Sequence, residues 1–179
     1  HADAARRSFD ADYSRLGSAG RDAIHSGGRR ALATAESLIA AIDQVIALFN
    51  SRKMDLPDGF LDRKTQFLIN GAPFETLLGQ NPGDALILML TRGPAGLRFT
   101  AKGLQHALTE AHVDRGDVIS DGATVSTKLW LSGRLRDTDE TVNEVVDVTL
   151  RLNAGGSVET AEAVMDTVML EKIRQARRS

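Results

Sequence analysis

The stretch 124-TVSTKLWLSGRLRDTDETVNEVVDVTLRL-152 alternates apolar and polar residues over nearly its whole length. In Thr124 to Arg136, Val125, Thr127, Leu129, Leu131 and Leu135 share one parity, and Ser126, Lys128, Trp130, Ser132 and Arg134 the other. After Asp137-Thr138-Asp139 the alternation resumes, with Val142, Val146, Val148, Leu150 and Leu152 against Asn143, Val145, Asp147, Thr149 and Arg151. A period of two sends successive side chains to opposite faces of a strand, so these are two long strands joined as a hairpin. Asn153-Ala154-Gly155-Gly156 supplies the next turn, and the run from Val158 to Leu170 reads as a third strand. On it Val158, Val164, Val168 and Leu170 occupy one face, and Ala161, Ala163, Met165 and Met169 the other. The result is an antiparallel meander.

Upstream the period lengthens to that of a helix. Leu32, Ala35, Leu38, Ile39, Ile42, Val45, Ile46 and Phe49 recur at steps of three and four, with Thr34 as cap and Asn50 near the end. Met54 to Leu61, holding Pro57 and Gly59, reads as a turn or short second helix. Thr65 to Asn70 reads as a short strand closed by Asn70-Gly71 and Pro73. Asp84 caps a buried helical turn over Ala85 to Met89, closed by Gly93-Pro94-Ala95-Gly96. Leu97, Ala101, Leu104, Ala107, Leu108 and Ala111 mark a further amphipathic helix, and after His112 the period switches to two. Helices first and a meander second predict an α+β fold, with N-terminal helices packed on a curved antiparallel sheet. Residues 31–179 form this domain. Residues 1–30, interrupted by Gly17, Gly20, Gly27 and Gly28 and carrying Arg residues at 6, 7, 15, 21, 29 and 30, read as an N-terminal extension or arm.

Composition removes several chemistries. The 179 residues are 42% hydrophobic and 26% charged with a net charge of −2, which is neither a disordered nor a nucleic-acid-coating balance. Having no cysteine, the chain has no disulfide, thiolate nucleophile or cysteine-bound zinc. His106 and His112 stand six apart, a spacing that does not align two ligands on one helix face, so no metal site is expected. The glycine clusters at 27–28, 93–96 and 155–156 lack a following Lys-Ser or Lys-Thr, so no nucleotide cofactor is expected either. The longest apolar run, Ala85 to Leu90, is far short of the roughly 20 residues of a membrane span. A cytoplasmic location is the expectation; the start at His1 leaves a removed signal open.

On the uninterrupted alternation, Glu144 joins the inward set Val142, Val146 and Val148, while Glu162 and Asp166 join Val158, Val164 and Val168. A carboxyl group among apolar neighbours is a candidate general acid or base, so Asp166, Glu162 and Glu144 are the catalytic candidates. Phe49, Phe67, Ile69, Phe74, Phe99 and Leu104 are candidates for the wall of a ligand cavity, with Leu90 beside them. The opposite sheet face, with Trp130, Val145, Ala161, Ala163, Met165 and Met169, is apolar enough to predict burial against a second copy, hence a homodimer.

The helix Ala33 to Asn50 followed by Met54-Asp55-Leu56, the strand Thr65 to Phe74 with its Asn-Gly-Ala-Pro-Phe turn, and the segment 156-GSVETAEAVMDTV-168 together resemble the nuclear transport factor 2-like superfold. Within it, the chain resembles the SnoaL-like polyketide cyclase and ketosteroid isomerase group, whose cystatin-like α+β cone encloses a conical pocket. The resemblance covers residues 31–174, with Gln80 to Arg98 standing as an insertion. It implies an apolar pocket, dimerisation through the sheet, and an acidic residue of the closing strand facing the pocket, a position matched by Asp166. The expected function is binding of a small hydrophobic molecule, extended in the enzymatic case to cofactor-independent isomerase, cyclase or dehydratase chemistry by a pocket carboxylate. The alternative is a non-catalytic dimerisation or assembly module of a transport, secretion or regulatory complex.

Overall fold

The structure, a computed structural model, describes residues 36–56, 61–77 and 89–179. The expected arm at 1–30, the Thr34 cap, Pro57 and Gly59, and the Asp84 cap with Ala85 to Leu88 lie outside the described residues.

Helix α1, described over 36–50, ends in a Schellman motif. Lys53 N–H donates to the Leu48 carbonyl at 2.8 Å and Arg52 N–H to Phe49 at 3.1 Å, with Arg52 at φ 63° where glycine is more usual. Asn50 docks the last turn onto the sheet: its Nδ2 donates to the Val113 carbonyl at 2.9 Å and its Oδ1 accepts from Val113 N–H at 2.8 Å. Farther up, Arg115 clasps Asp43 through two nitrogens at 2.5 and 3.1 Å. That hydrogen bond raises the Arg115 pKa above its ordinary value, with burial opposing it.

Strands β1 (Gln66–Ile69) and β2 (Ala72–Pro73) form the hairpin expected around Asn70-Gly71. Ile69 pairs with Ala72, and both turn residues have positive φ, 51° and 81°, the type I′ signature that suits Asn-Gly. The short helix α2 (Phe74–Leu77) follows. Helix α3 (Gly93–Ala107) then runs directly into β3 (Leu108–Asp121). The remaining elements are β4 (Thr124–Leu135), β5 (Thr141–Leu152), β6 (Val158–Val164) and α4 (Thr167–Arg178).

The six strands form one sheet in the order β2-β1-β6-β5-β4-β3. The class is α+β as expected, but the sheet is mixed: β1 runs parallel to β6, while every other pair is antiparallel. Nearly ninety residues separate the end of β1 from the start of β6, so no hairpin dictates their relative direction.

Three expectations are corrected. Gly93-Pro94-Ala95-Gly96 not only follows the helical residues ending at Thr91 but also opens α3, with Pro94 in the first turn, where its missing N–H costs nothing. The helix ends at Ala107, and Leu108 and Ala111 belong to β3, a 14-residue strand that begins before the switch of period at His112. Its register slips between Thr109 and His112 and again between Arg115 and Val118, which destroys a clean period of two. Finally, the closing strand stops at Val164. Met169, Ile173 and Ala176, at steps of four and three, are the buried stripe of α4 rather than strand residues.

The core gathers α1, α3 and α4 on the inner sheet face: Phe49, Ala101, Ala107, Leu108, Leu131, Leu135, Val142, Met169 and Ile173 are all buried. Fully burying a side chain of Leu or Val size is worth roughly 1.5–3 kcal/mol, which makes this cluster the main anchor of the helical layer.

Candidate functional site

Cross-strand pairing sets what faces the helices. Leu129 pairs with Val146, Thr127 with Val148 and Val125 with Leu150, so the even positions of β5 point inward. The Val148–Ala163 and Leu150–Ala161 pairs continue that face onto β6, and Phe67–Ala161 and Ile69–Ala163 carry it to β1. Between this surface and α1, α2 and α3 lies a cavity of about 280 Å³. The α1 wall is Leu38, Ala41, Ile42, Val45, Ile46 and Phe49; α2 and α3 contribute Phe74, Leu97, Thr100, Ala101 and Leu104. The sheet supplies, among others, Phe67, Ile69, Val113, Thr127, Leu129, Leu131 and the β5 and β6 residues just named.

Only Thr100, Thr127 and Glu162 interrupt an otherwise aliphatic and phenylalanine lining. Both hydroxyls are engaged by the backbone. Thr100 Oγ1 donates to the Gly96 carbonyl at 2.9 Å, and Thr127 Oγ1 donates to Gly116 at 3.3 Å.

Of the expected wall residues, Phe49, Phe67, Ile69, Phe74 and Leu104 border the cavity. Phe99 does not. It packs edge-on against Phe74, with centroids 5.9 Å apart, and carries the Arg177 guanidinium 4.4 Å from its ring centre. Leu90 is 41% exposed and likewise outside the lining.

The three carboxylates are not brought together. Asp166 sits after β6, exposed, as the N-cap of α4; its Oδ2 accepts from Met169 N–H at 2.9 Å. Glu144 keeps its inward parity opposite Leu131 and is half-buried, but it does not border the cavity. Glu162 does border it, although its partners Thr149 and Leu68 place it in the row opposite to Ala161 and Ala163.

A bulge explains this inversion. Leu152 pairs with Val158 but Arg151 with Thr160, which leaves Glu159 as an extra residue on β6. One inserted residue exchanges the faces of everything beyond it, so Val158 and then Ala161 and Ala163 point inward. Ala161 and Ala163 were expected on the outer face; they are small cavity-lining residues instead. Met165 packs against the core and Met169 is buried, so neither belongs to the outer face. What remains exposed there is Trp130, Val145 and Val164, each more than 40% exposed, with Ile119 near the far end of β3. The Lys128–Asp147 ion pair, 2.9 Å, crosses the same face.

Away from the cavity, Glu75 of α2 is buried and accepts from Arg92 Nη2 at 3.3 Å. Among the described residues no group of three or more His, Cys, Asp or Glu could hold a metal, and no helix is long and apolar enough to cross a membrane.

A helix-covered mixed sheet with an apolar interior is the architecture of the nuclear transport factor 2-like fold, and the chain has that fold. Solved structures superpose over most of its length. A SnoaL-like protein from Jannaschia sp. CCS1 matches with TM-score 0.53 and 10% identity over 77% of this chain and 91% of its own. An epoxide hydrolase of the LEH-like type from M. tuberculosis matches with TM-score 0.51 and 14% identity over 79% and 92%. TerC, co-crystallised with polyporic acid, matches with TM-score 0.51 and 17% identity over 80% and 99%. No protein-family model matches the sequence, and no curated protein matches it.

Proposed function

We propose that this domain binds a small hydrophobic molecule in the cavity between α1 and the inner sheet face. The observation that carries the reading is the lining itself: apolar side chains from three helices and five strands converge on about 280 Å³. Surveyed ligand sites run from roughly 300 to 1,000 Å³, so this volume lies just below that range and suits a small ligand. Proteins of the same fold include one co-crystallised with polyporic acid and one described as an epoxide hydrolase, which is in keeping with a small-molecule site.

Binding is placed ahead of catalysis because Glu144, inward by its register, does not border the cavity, and Glu162, which borders it, lies in the opposite row of β6. The enzymatic version would have to run through Glu162, the carboxylate at the cavity border, with Asp166 committed to its helix cap. The outer face supports a second reading, self-association through Trp130, Val145 and Val164, which is compatible with the first.

The test is a titration with N-phenyl-1-naphthylamine, a neutral fluorophore, against the native chain and against Ala161→Phe and Ala163→Phe. Saturable one-to-one binding that both cavity-filling variants abolish, with circular dichroism unchanged, is the expected result. Equal binding by native protein and both variants would refute the site.

A further inference from the structure

We propose that the cavity selects hydrocarbon ligands free of polar groups in their buried part, such as an alkyl chain or alkylbenzene, over hydroxylated ring systems. The inference rests on the ligand-binding reading above and narrows it to a chemical class.

The argument turns on what the wall can offer a polar atom. A buried ligand hydroxyl needs an acceptor for its proton and is helped by a donor to its oxygen. Thr100 and Thr127 are the hydroxyls in the lining; each donates to a backbone carbonyl, Gly96 and Gly116, so neither donates to a ligand oxygen, and the surface they turn to the cavity is almost wholly apolar. The Gly116 carbonyl is further occupied by Arg115 Nη1 at 2.9 Å. Glu162 belongs by pairing to the row of Thr149 and Leu68, not to that of Ala161 and Ala163. Strand and helix backbone at the remaining positions is committed to the ladders and turns of the fold. A hydroxyl carried into this interior finds almost no polar surface to replace its hydrogen bonds with water, which lowers affinity about tenfold.

The experiment is displacement of bound N-phenyl-1-naphthylamine by n-butylbenzene and by 4-propylphenol, which have equal heavy-atom counts. Val148→Asn, which puts an amide with both donors and an acceptor on the inner face of β5, is compared with the native chain. Native protein is expected to prefer butylbenzene at least tenfold, and Val148→Asn to narrow that ratio. Equal or tighter binding of the phenol by native protein, or failure of butylbenzene to displace the fluorophore, overturns the selectivity while leaving the cavity as a binding site. Failure of the fluorophore itself to bind removes the underlying reading, and the selectivity with it.

Discussion

Helix α3 holds three glycines whose replacement by alanine should have different signs, although helix propensity alone assigns all three the same one. In a helix interior, Gly→Ala normally stabilises by roughly 0.5–1 kcal/mol, because alanine loses less backbone entropy. Gly103 has room for that gain: a Cβ built there meets only the flexible Arg177 side chain, at 3.4 Å or more. At Gly96 the same atom would lie 2.4 Å from the Thr91 carbonyl oxygen and 3.1 Å from the Phe67 ring. Backbone cannot swing aside as a side chain can, so an overpacking cost of about 1–3 kcal/mol outweighs the propensity gain and leaves a net loss of about 1–2 kcal/mol. Gly93 is worse placed. It has φ 61°, a region costing an L-residue about 1–2 kcal/mol, and its Cβ would stand 2.8 Å from the Arg63 backbone. Urea and thermal denaturation of the three single variants measure the order directly. For a chain of this length 1 kcal/mol moves Tm by roughly 2–4 °C, so Gly96→Ala should lower it by about 2–8 °C while Gly103→Ala raises it by about 1–4 °C. A stabilised Gly96→Ala would refute the close approach of α3 to the turn at Thr91.

Two further outcomes follow from residues whose roles the structure reassigns. Asp166→Ala removes the cap on α4 and should cost about 1 kcal/mol in urea denaturation with fluorophore affinity unchanged, whereas Asp166→Asn, which still accepts from Met169 N–H, should lose less than half of that. Trp130→Ser, on the exposed outer face, should shift sedimentation velocity from dimer toward monomer at micromolar concentration; a native chain that is monomeric under those conditions would dispose of the self-association reading.

Much of the fold is visible in local chemistry. Asn70-Gly71 specifies a two-residue turn whose positive φ values few other pairs adopt cheaply, and the β4–β5 hairpin appears residue for residue in its alternation. Gly93-Pro94 was misread because glycine and proline punctuate both ends of helices; their order, with proline just inside the first turn, marks a beginning. The closing helix also left a signal, an acidic cap at Asp166 followed by Met169, Ile173 and Ala176 and by Arg177 and Arg178 in the last turn. The resemblance to the fold's closing strand outweighed that signal, and it carried Asp166 into a pocket it does not face.

The polarity of the cavity was harder to read, because it depends on one residue that the pattern cannot flag. With β6 continuing its alternation from Val158, Glu162 would point inward and the interior would contain an acid; with Glu159 bulged, Ala161 and Ala163 point inward instead. Both registers bury apolar side chains on one face, since Val158, Val164, Ala161 and Ala163 are all acceptable there, so hydrophobicity along the strand does not choose between them. The neighbours decide it. In the observed register Ala161 and Ala163 lie beside Phe67 and Ile69 of β1 and Leu150 and Val148 of β5, where two small side chains between larger ones leave the space that becomes the cavity. The alternative would put a carboxylate into that row without a charge partner, at a desolvation cost that the bulge avoids. The bulge thus sets the chemistry of the site: it exchanges a candidate acid for open apolar volume, the feature on which the proposed binding function rests.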